Sequence, residues 1–359
     1  MASSVPAVRR PASLSSQVGL TDKIFASGQD KELASSVDDG LALVEEGLIA
    51  EMRFADNFAD VTARYLLEAG GKRVRPMLTL LAAQLGEGNT PEVLKAAEAI
   101  EITHLASLYH DDVMDEAQMR RGVPSAQSVW GNSVAVLTGD LLFARASKLV
   151  AALGVRAITM QADTFERLCL GQLHETIGPQ DGEDPIEHYL QVLADKTGSL
   201  IAAAAQMGVV FSHASEDYEQ PVVTFGEKIG VAFQLIDDVI DLSSEGVAET
   251  GKTPGNDLRA GVATLPLLRL RVRAESDADA LALLERLERD VIGTVDDGAI
   301  TPEATAAIAA LRDHDVTAQT LDEAHRWAHE AVEALAPLPK GSVKKALTRF
   351  ADTIVDRSS

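Results

Sequence analysis

The chain has 359 residues, 46% of them hydrophobic and 4% aromatic, enough to bury one large helical core or two ordinary ones and unlike the composition of a disordered polymer. Its net charge of −23 excludes a surface built for nucleic acid or an anionic membrane, so an anionic ligand must be held by local cations or metal ions. The single Cys169 excludes an internal disulfide, the longest apolar run (200–211) is too short to span a bilayer, and no early stretch resembles a signal peptide; a soluble cytoplasmic protein without a transmembrane segment is expected.

Residues 1–30 are expected to form a disordered tail and 31–359 a single domain; residues 1–21, with Arg9, Arg10, several serines and no acid, also weakly resemble a transit peptide. Apolar residues then recur at three and four spacing, alanine and leucine dominate, and no sustained period-two run occurs, which predicts an all-α fold. Helices are expected over 35–69, 74–85, 91–119, 132–153, 155–176, 185–213, 218–242, 264–290, 302–315, 318–336 and 340–356.

Between the first two helices, Gly70-Gly71-Lys72-Arg73-Val74-Arg75-Pro76 puts three cations in a glycine-loosened turn, with Pro76 suited to open a helix. Helix N-termini and arginine forks both favour phosphate, although a basic surface turn is the plain alternative. The third helix ends in Asp111-Asp112-Val113-Met114-Asp115, and Asp237-Asp238-Val239-Ile240-Asp241 ends the seventh, 126 residues on (237 − 111). Residues i and i+4 share a helix face, so each cluster is expected to present three carboxylates together, at the dipole end that disfavours them. Such trios need a compensating cation, and magnesium sharing its shell with phosphate oxygens suits them.

His104 lies two turns before Asp111 and Gln234 three residues before Asp237, each on its motif's face, although a lone histidine there is more often a core residue. Arg120-Arg121-Gly122, Lys196-Thr197-Gly198 and Gly251-Lys252-Thr253 add cations where helices break. Glu101-x-x-His104 is half of a di-iron site, but no other histidine has Glu three residues before it. There is no zinc-protease motif, Walker loop or nucleophile elbow. The C-terminal helices, with His325 and His329, receive no role.

In order and spacing, GGKRVRP, THLASLYHDDVMDEAQMRRGVPS, Lys196-Thr197, FQLIDDVIDL and GKTPGNDL resemble the trans-isoprenyl diphosphate synthases, polyprenyl synthetase branch, over about residues 35 to 357. The resemblance implies a single all-α helical bundle around a deep central cavity, usually a homodimer, joining isopentenyl diphosphate to an allylic diphosphate with several Mg2+ ions. By motif, Asp111, Asp112, Asp115, Asp237, Asp238 and Asp241 would hold metal and the allylic diphosphate. Lys72, Arg75, His104 and Arg121 would bind isopentenyl diphosphate, and Arg120, Lys196, Thr197, Gln234 and Lys252 the allylic substrate. The departing diphosphate would accept the proton, and the glycine-rich 243–261 segment is a candidate lid. Val262 departs from the family, which often has lysine there.

The growing chain should run back along the first aspartate helix past Ala106 and Ser107, one turn before Asp111, where short-chain members place bulk. Small residues there imply a medium or long product, with a floor near Thr103, Ile100 or Ala99 and transient membrane contact for product release; geranylgeranyl diphosphate is the alternative. A terpene cyclase would lack the second Asp-rich motif and the isopentenyl site, and a non-catalytic partner subunit should have lost several of these side chains.

Overall fold

The computed structural model describes residues 28–243, 254–294 and 300–356. Its helices are α1 (Gly28–Glu51), α2 (Asn57–Glu68), α3 (Val74–Ala83), α4 (Pro91–Met114), α5 (Ala126–Trp130), α6 (Asn132–Leu153), α7 (Val155–Ile177), α8 (Pro185–Leu193), α9 (Ser199–Phe211) and α10 (Glu219–Asp241), followed by α11 (Asn256–Arg259), α12 (Leu265–Ala274), α13 (Ala278–Asp290), α14 (Pro302–Arg312), α15 (Asp315–Ala334) and α16 (Ser342–Val355). Among the described residues the fold is all-α apart from two-residue strands, β1 (Met119–Arg120) and β2 (Val123–Pro124). None of the described helices is long and apolar enough to cross a membrane.

Helix breaks that the sequence reading passed over have identifiable causes. The expected helix over 35–69 is two helices, because Asp56 caps α2 by accepting the N–H groups of Phe58 and Ala59, and Asp60 accepts that of Phe54. Asp277 likewise opens α13 by accepting from Asp279 and Ala280, dividing the expected helix over 264–290. The expected helix over 185–213 is also divided, in this case where Lys196-Thr197-Gly198 marks a break in the sequence, by a π turn at Ala194–Gly198. At the other end of the chain, α1 starts at Gly28, inside the expected tail, and Asp30 is buried there with Lys345 Nζ at 2.7 Å.

The described residues form two compact units. One comprises those up to Glu166 with Ser199–Gly226 and Ala334–Phe350, and the other comprises Arg167–Gly198, Glu227–Glu333 and those from Ala351 on. In the first, α4 packs against α1, α3, α6 and α9, which is why its apolar residues run all round rather than along one stripe. Tyr109 of α4 is fully buried, and its hydroxyl donates to Thr62 O at 2.5 Å and accepts from Leu66 N, tying α4 to α2. Gly208 lets α9 close on α3, where a Cβ would stand 2.3 Å from Thr79 O. In the second unit, Leu258, Leu270, Leu287, Ile308, Leu311 and Val316 form one core from α11 to α15.

Candidate active site

In the first unit α4 ends at Met114, where Asp115 caps it with its N–H on Asp111 O and Glu116 takes a positive φ of 49°. The chain returns through a two-residue loop, Arg121-Gly122, with both φ values positive (52° and 78°), the primed geometry that closes tight hairpins. This sends the two arginines to different partners. Arg120 Nε donates to Asp112 Oδ1 at 2.6 Å, while Arg121 Nη1 donates to Leu66 O at 2.9 Å and to Gly70 O. Asp112 is fully buried, and burial pushes its carboxyl up while Arg120 opposes the shift. Its other oxygen, Oδ2, has no hydrogen-bond partner among the described residues.

The expected trio is therefore not presented together. Asp111 is half-buried and Asp115 exposed, but Asp112 is turned into the protein. Among the described residues no three His, Cys, Asp or Glu side chains stand close enough to hold a metal ion by themselves. The donor set still fits Mg2+, which keeps several waters and is held by one or two carboxylates plus substrate phosphate oxygens.

Around this motif lies a desolvated cation cluster. Arg73 stands in the left-handed region (φ 52°, ψ 36°) before α3 and is 4% exposed. Its guanidinium forks onto Glu45 (2.8 and 3.0 Å) and reaches Glu101 at 3.3 Å. Arg75 is half-buried; its Nε is shielded from solvent and without a hydrogen-bond partner among the described residues. Burial lowers the Arg75 guanidinium from its usual range, against the opposing charges of Glu101 and Asp111.

Burial pushes Arg121 down to about 10, with Glu101 opposing, which leaves it cationic at neutral pH. His104 is held well below the imidazole range by burial and then by the charges of Arg75, Arg121, Arg73 and Arg120, so it is neutral and offers one N–H. Lys72 is exposed at the edge of the same turn. One turn before Asp111, Ala106 is fully buried and Ser107 is 7% exposed with Oγ on His104 O.

In the second unit the other motif ends α10. Asp238, 4% exposed, accepts the Tyr189 hydroxyl at 2.7 Å and the Leu265 N–H at 3.4 Å. Burial raises its carboxyl well above the usual range, and the Tyr189 bond opposes this. Asp241 Oδ2 accepts Asp257 N at 3.2 Å, while Asp237 and Gln234 are half-buried on α10. Again the middle aspartate is committed to the protein.

Lys196 and Thr197 lie in the π turn, a form that often marks functional sites. Asp195 is held there by Arg167 and Gln191, and Gly171 and Gly198 allow the backbones of Lys196 and Glu227 to approach closely. Lys196 Nζ is 2.5 Å from Glu175 Oε2. Lys252 and residues 244–253 of the expected lid lie outside the described residues. Val262, in place of the expected lysine, is exposed.

The sequence reading gave no site role to Arg73, Glu45, Glu101 or Tyr189. For Glu101 a signal existed, because residues 101, 104, 108 and 111 fall at helical spacing on one face of α4. For Tyr189 there was none.

The sequence model described as polyprenyl synthetase matches residues 57–293. The chain is 43% identical over 352 residues to the nonaprenyl diphosphate synthase of Mycobacterium tuberculosis, covering 98% of this chain and 99% of that protein. Among solved structures it is similar to geranylgeranyl pyrophosphate synthase from Corynebacterium glutamicum complexed with calcium and isoprenyl diphosphate, at 40% identity and TM-score 0.78 over 91% of this chain and 98% of that one. It is also similar to a decaprenyl diphosphate synthase from Rhodobacter capsulatus, at 32% identity and TM-score 0.79 over 92% and 99%. Two aspartate-rich helix ends, a buried arginine cluster and an isoprenoid-synthase fold thus occur in one chain that belongs to the polyprenyl synthetase family.

Proposed function

We propose that the protein is an all-trans polyprenyl diphosphate synthase that extends an allylic diphosphate, farnesyl or geranylgeranyl, with isopentenyl diphosphate to a medium or long chain. The observation that supports this best is the desolvated pair Arg75 and Arg121 beside Asp111, with a buried donor of Arg75 left without a hydrogen-bond partner among the described residues. A pair of that charge, in a protein this acidic, suits a diphosphate.

In this reading Lys72, Arg75, His104 and Arg121 bind isopentenyl diphosphate, and Arg120, Lys196, Thr197, Gln234 and Lys252 the allylic substrate. Asp111, Asp115, Asp237 and Asp241 would hold Mg2+, which when bound neutralises charge developing on the leaving diphosphate. Asp112 and Asp238, also expected to hold metal, accept from Arg120 and from Tyr189 respectively. The allylic C–O bond breaks with its electron pair on diphosphate. The isopentenyl double bond attacks the allylic carbon, and a proton then passes to the departed diphosphate. Arg120 would contact that anion, and neutral His104 donates without competing for the proton.

The small Ala106 and Ser107, and the likeness to nonaprenyl and decaprenyl synthases, support the longer product. Residues 31–359 would act as one catalytic domain in a cytoplasmic enzyme that meets the membrane only to release product. The family likeness supports a homodimer. The test is incubation of purified protein with labelled isopentenyl diphosphate and either primer, with Mg2+ or with chelator, followed by product chromatography. Mg2+-dependent products longer than geranylgeranyl are expected. Products stopping there would establish the shorter synthase, and no extension of either primer would overturn the reading.

A further inference from the structure

Three cations occur within four residues of the Gly70–Pro76 turn, and the structure treats them unequally. Lys72 is exposed, Arg75 half-buried and Arg73 buried. A guanidinium has five N–H protons, and Arg73 has five protein acceptors. Nε and Nη2 reach the two oxygens of Glu45, Nη2 also reaches Leu67 O, and Nη1 reaches Gly70 O and Glu101 Oε1, all at 2.8–3.3 Å. Nothing is left on this side chain for a ligand.

What those bonds tie together is more informative. Leu67 O belongs to the end of α2 and Gly70 O to the turn itself, while Glu45 comes from α1 and Glu101 from α4. The backbone of Arg73 is left-handed, a conformation unfavourable for a non-glycine residue and held here by the side-chain bonds. Gly71, at φ 144°, must lack a side chain because a Cβ would stand 2.6 Å from Arg73 Nη1 and 3.0 Å from Arg121 Cζ. The same Glu101 is the counter-charge felt by Arg75 and Arg121.

We propose that Arg73, clamped between Glu45 of α1 and Glu101 of α4, is a positioning residue that fixes the turn so that Lys72 and Arg75 meet the diphosphate of the isopentenyl substrate. The inference rests on the function proposed above. It gives α1 a part in substrate binding although α1 supplies none of the side chains assigned to phosphate. Its sign differs from that of a simple charge effect: deleting the Glu45 carboxylate should strengthen anion binding by electrostatics alone, but it weakens binding if the clamp sets the geometry.

The test compares full-length wild type, Arg73→Lys and Glu45→Gln, with folding checked by circular dichroism. Arg73→Lys keeps the charge and loses the fork. Both variants are expected to raise KM for isopentenyl diphosphate by about tenfold, with kcat and the allylic KM within about twofold. Affinity for inorganic diphosphate, measured by calorimetry in EDTA, should fall in parallel. Wild-type behaviour of Arg73→Lys, tighter diphosphate binding by Glu45→Gln, or an equal rise in both KM values would overturn the clamp. If Arg73→Lys does not fold, Glu45→Gln decides alone. If wild type binds diphosphate but extends no primer, the synthase reading fails, and the diphosphate affinities of the variants still judge the clamp.

Discussion

Tyr189 donates its hydroxyl to Asp238 Oδ2 across 2.7 Å, tying α8 to the middle aspartate of the second motif. Burial and the neighbouring Asp238 both raise the phenol well above its ordinary range, so it remains a donor at any working pH. Removing that donor leaves a buried carboxyl with one weaker partner among the described residues, the Leu265 N–H at 3.4 Å. Tyr189→Phe should cost about 1–3 kcal/mol of stability and lower kcat while Mg2+-dependent turnover persists. Denaturant titration and steady-state kinetics check both, and wild-type values in each would remove Asp238 orientation from the mechanism.

Glu98 of α4 supplies a pH dependence away from the site. It packs on Gly47 of α1, where an added Cβ would meet Glu98 Oε1 at 1.9 Å. Burial and then the charge of Glu51 raise Glu98 to about 7 from 4.5, against the pull of Lys95. Between these values the folded chain binds the extra proton, so stability falls as pH rises from 4.5 to 7, and the full penalty applies above 7. Glu98→Gln should therefore be more stable than wild type by about 1–3 kcal/mol at pH 8, with the advantage shrinking toward pH 4.5. Urea titrations at a series of pH values measure this, and a constant difference would refute it.

Ser107→Phe addresses product length. Ser107 is 7% exposed, one turn before Asp111, with only a hydroxymethyl group to accommodate. A phenyl ring should cut the product to farnesyl or geranylgeranyl length. An unchanged distribution on chromatography would show that the growing chain takes another direction.

Gly208→Ala probes the α3–α9 contact without touching substrate. The new methyl would stand 2.3 Å from Thr79 O, a backbone atom that moves only with its helix. A loss of about 1–3 kcal/mol is expected, read as a lower urea midpoint at unchanged slope. A neutral outcome would mean the two helices separate at little cost.

The features legible in the sequence were those encoded within a few residues. Asp111 with Asp115 and Asp237 with Asp241 were readable from helical spacing, and the interruption at Lys196-Thr197 from its glycine. The breaks at Asp56 and Asp277 were passed over because no glycine or proline marks them, although aspartate at a helix start was itself the signal. What separates Arg73 from Lys72 and Arg75 was out of reach, since its partners Glu45 and Glu101 each lie 28 residues away along the chain. The burial of Asp112 and Asp238 depends in the same way on Arg120 and Tyr189, neither of which helical periodicity could connect to them.

The hairpin between β1 and β2 rests on two residue pairs, Met119 with Pro124 and Arg120 with Val123, closed by two residues. Side chains alternate along such a ribbon, so gaining or losing one amino acid in β1 would turn Arg120 to the other side of the ribbon and shift Arg121 out of its place in the loop. A chimaera spliced there could keep every charge and still misdeliver both arginines. The spacing between Asp115 and Ser125 therefore carries information as a count as well as a composition.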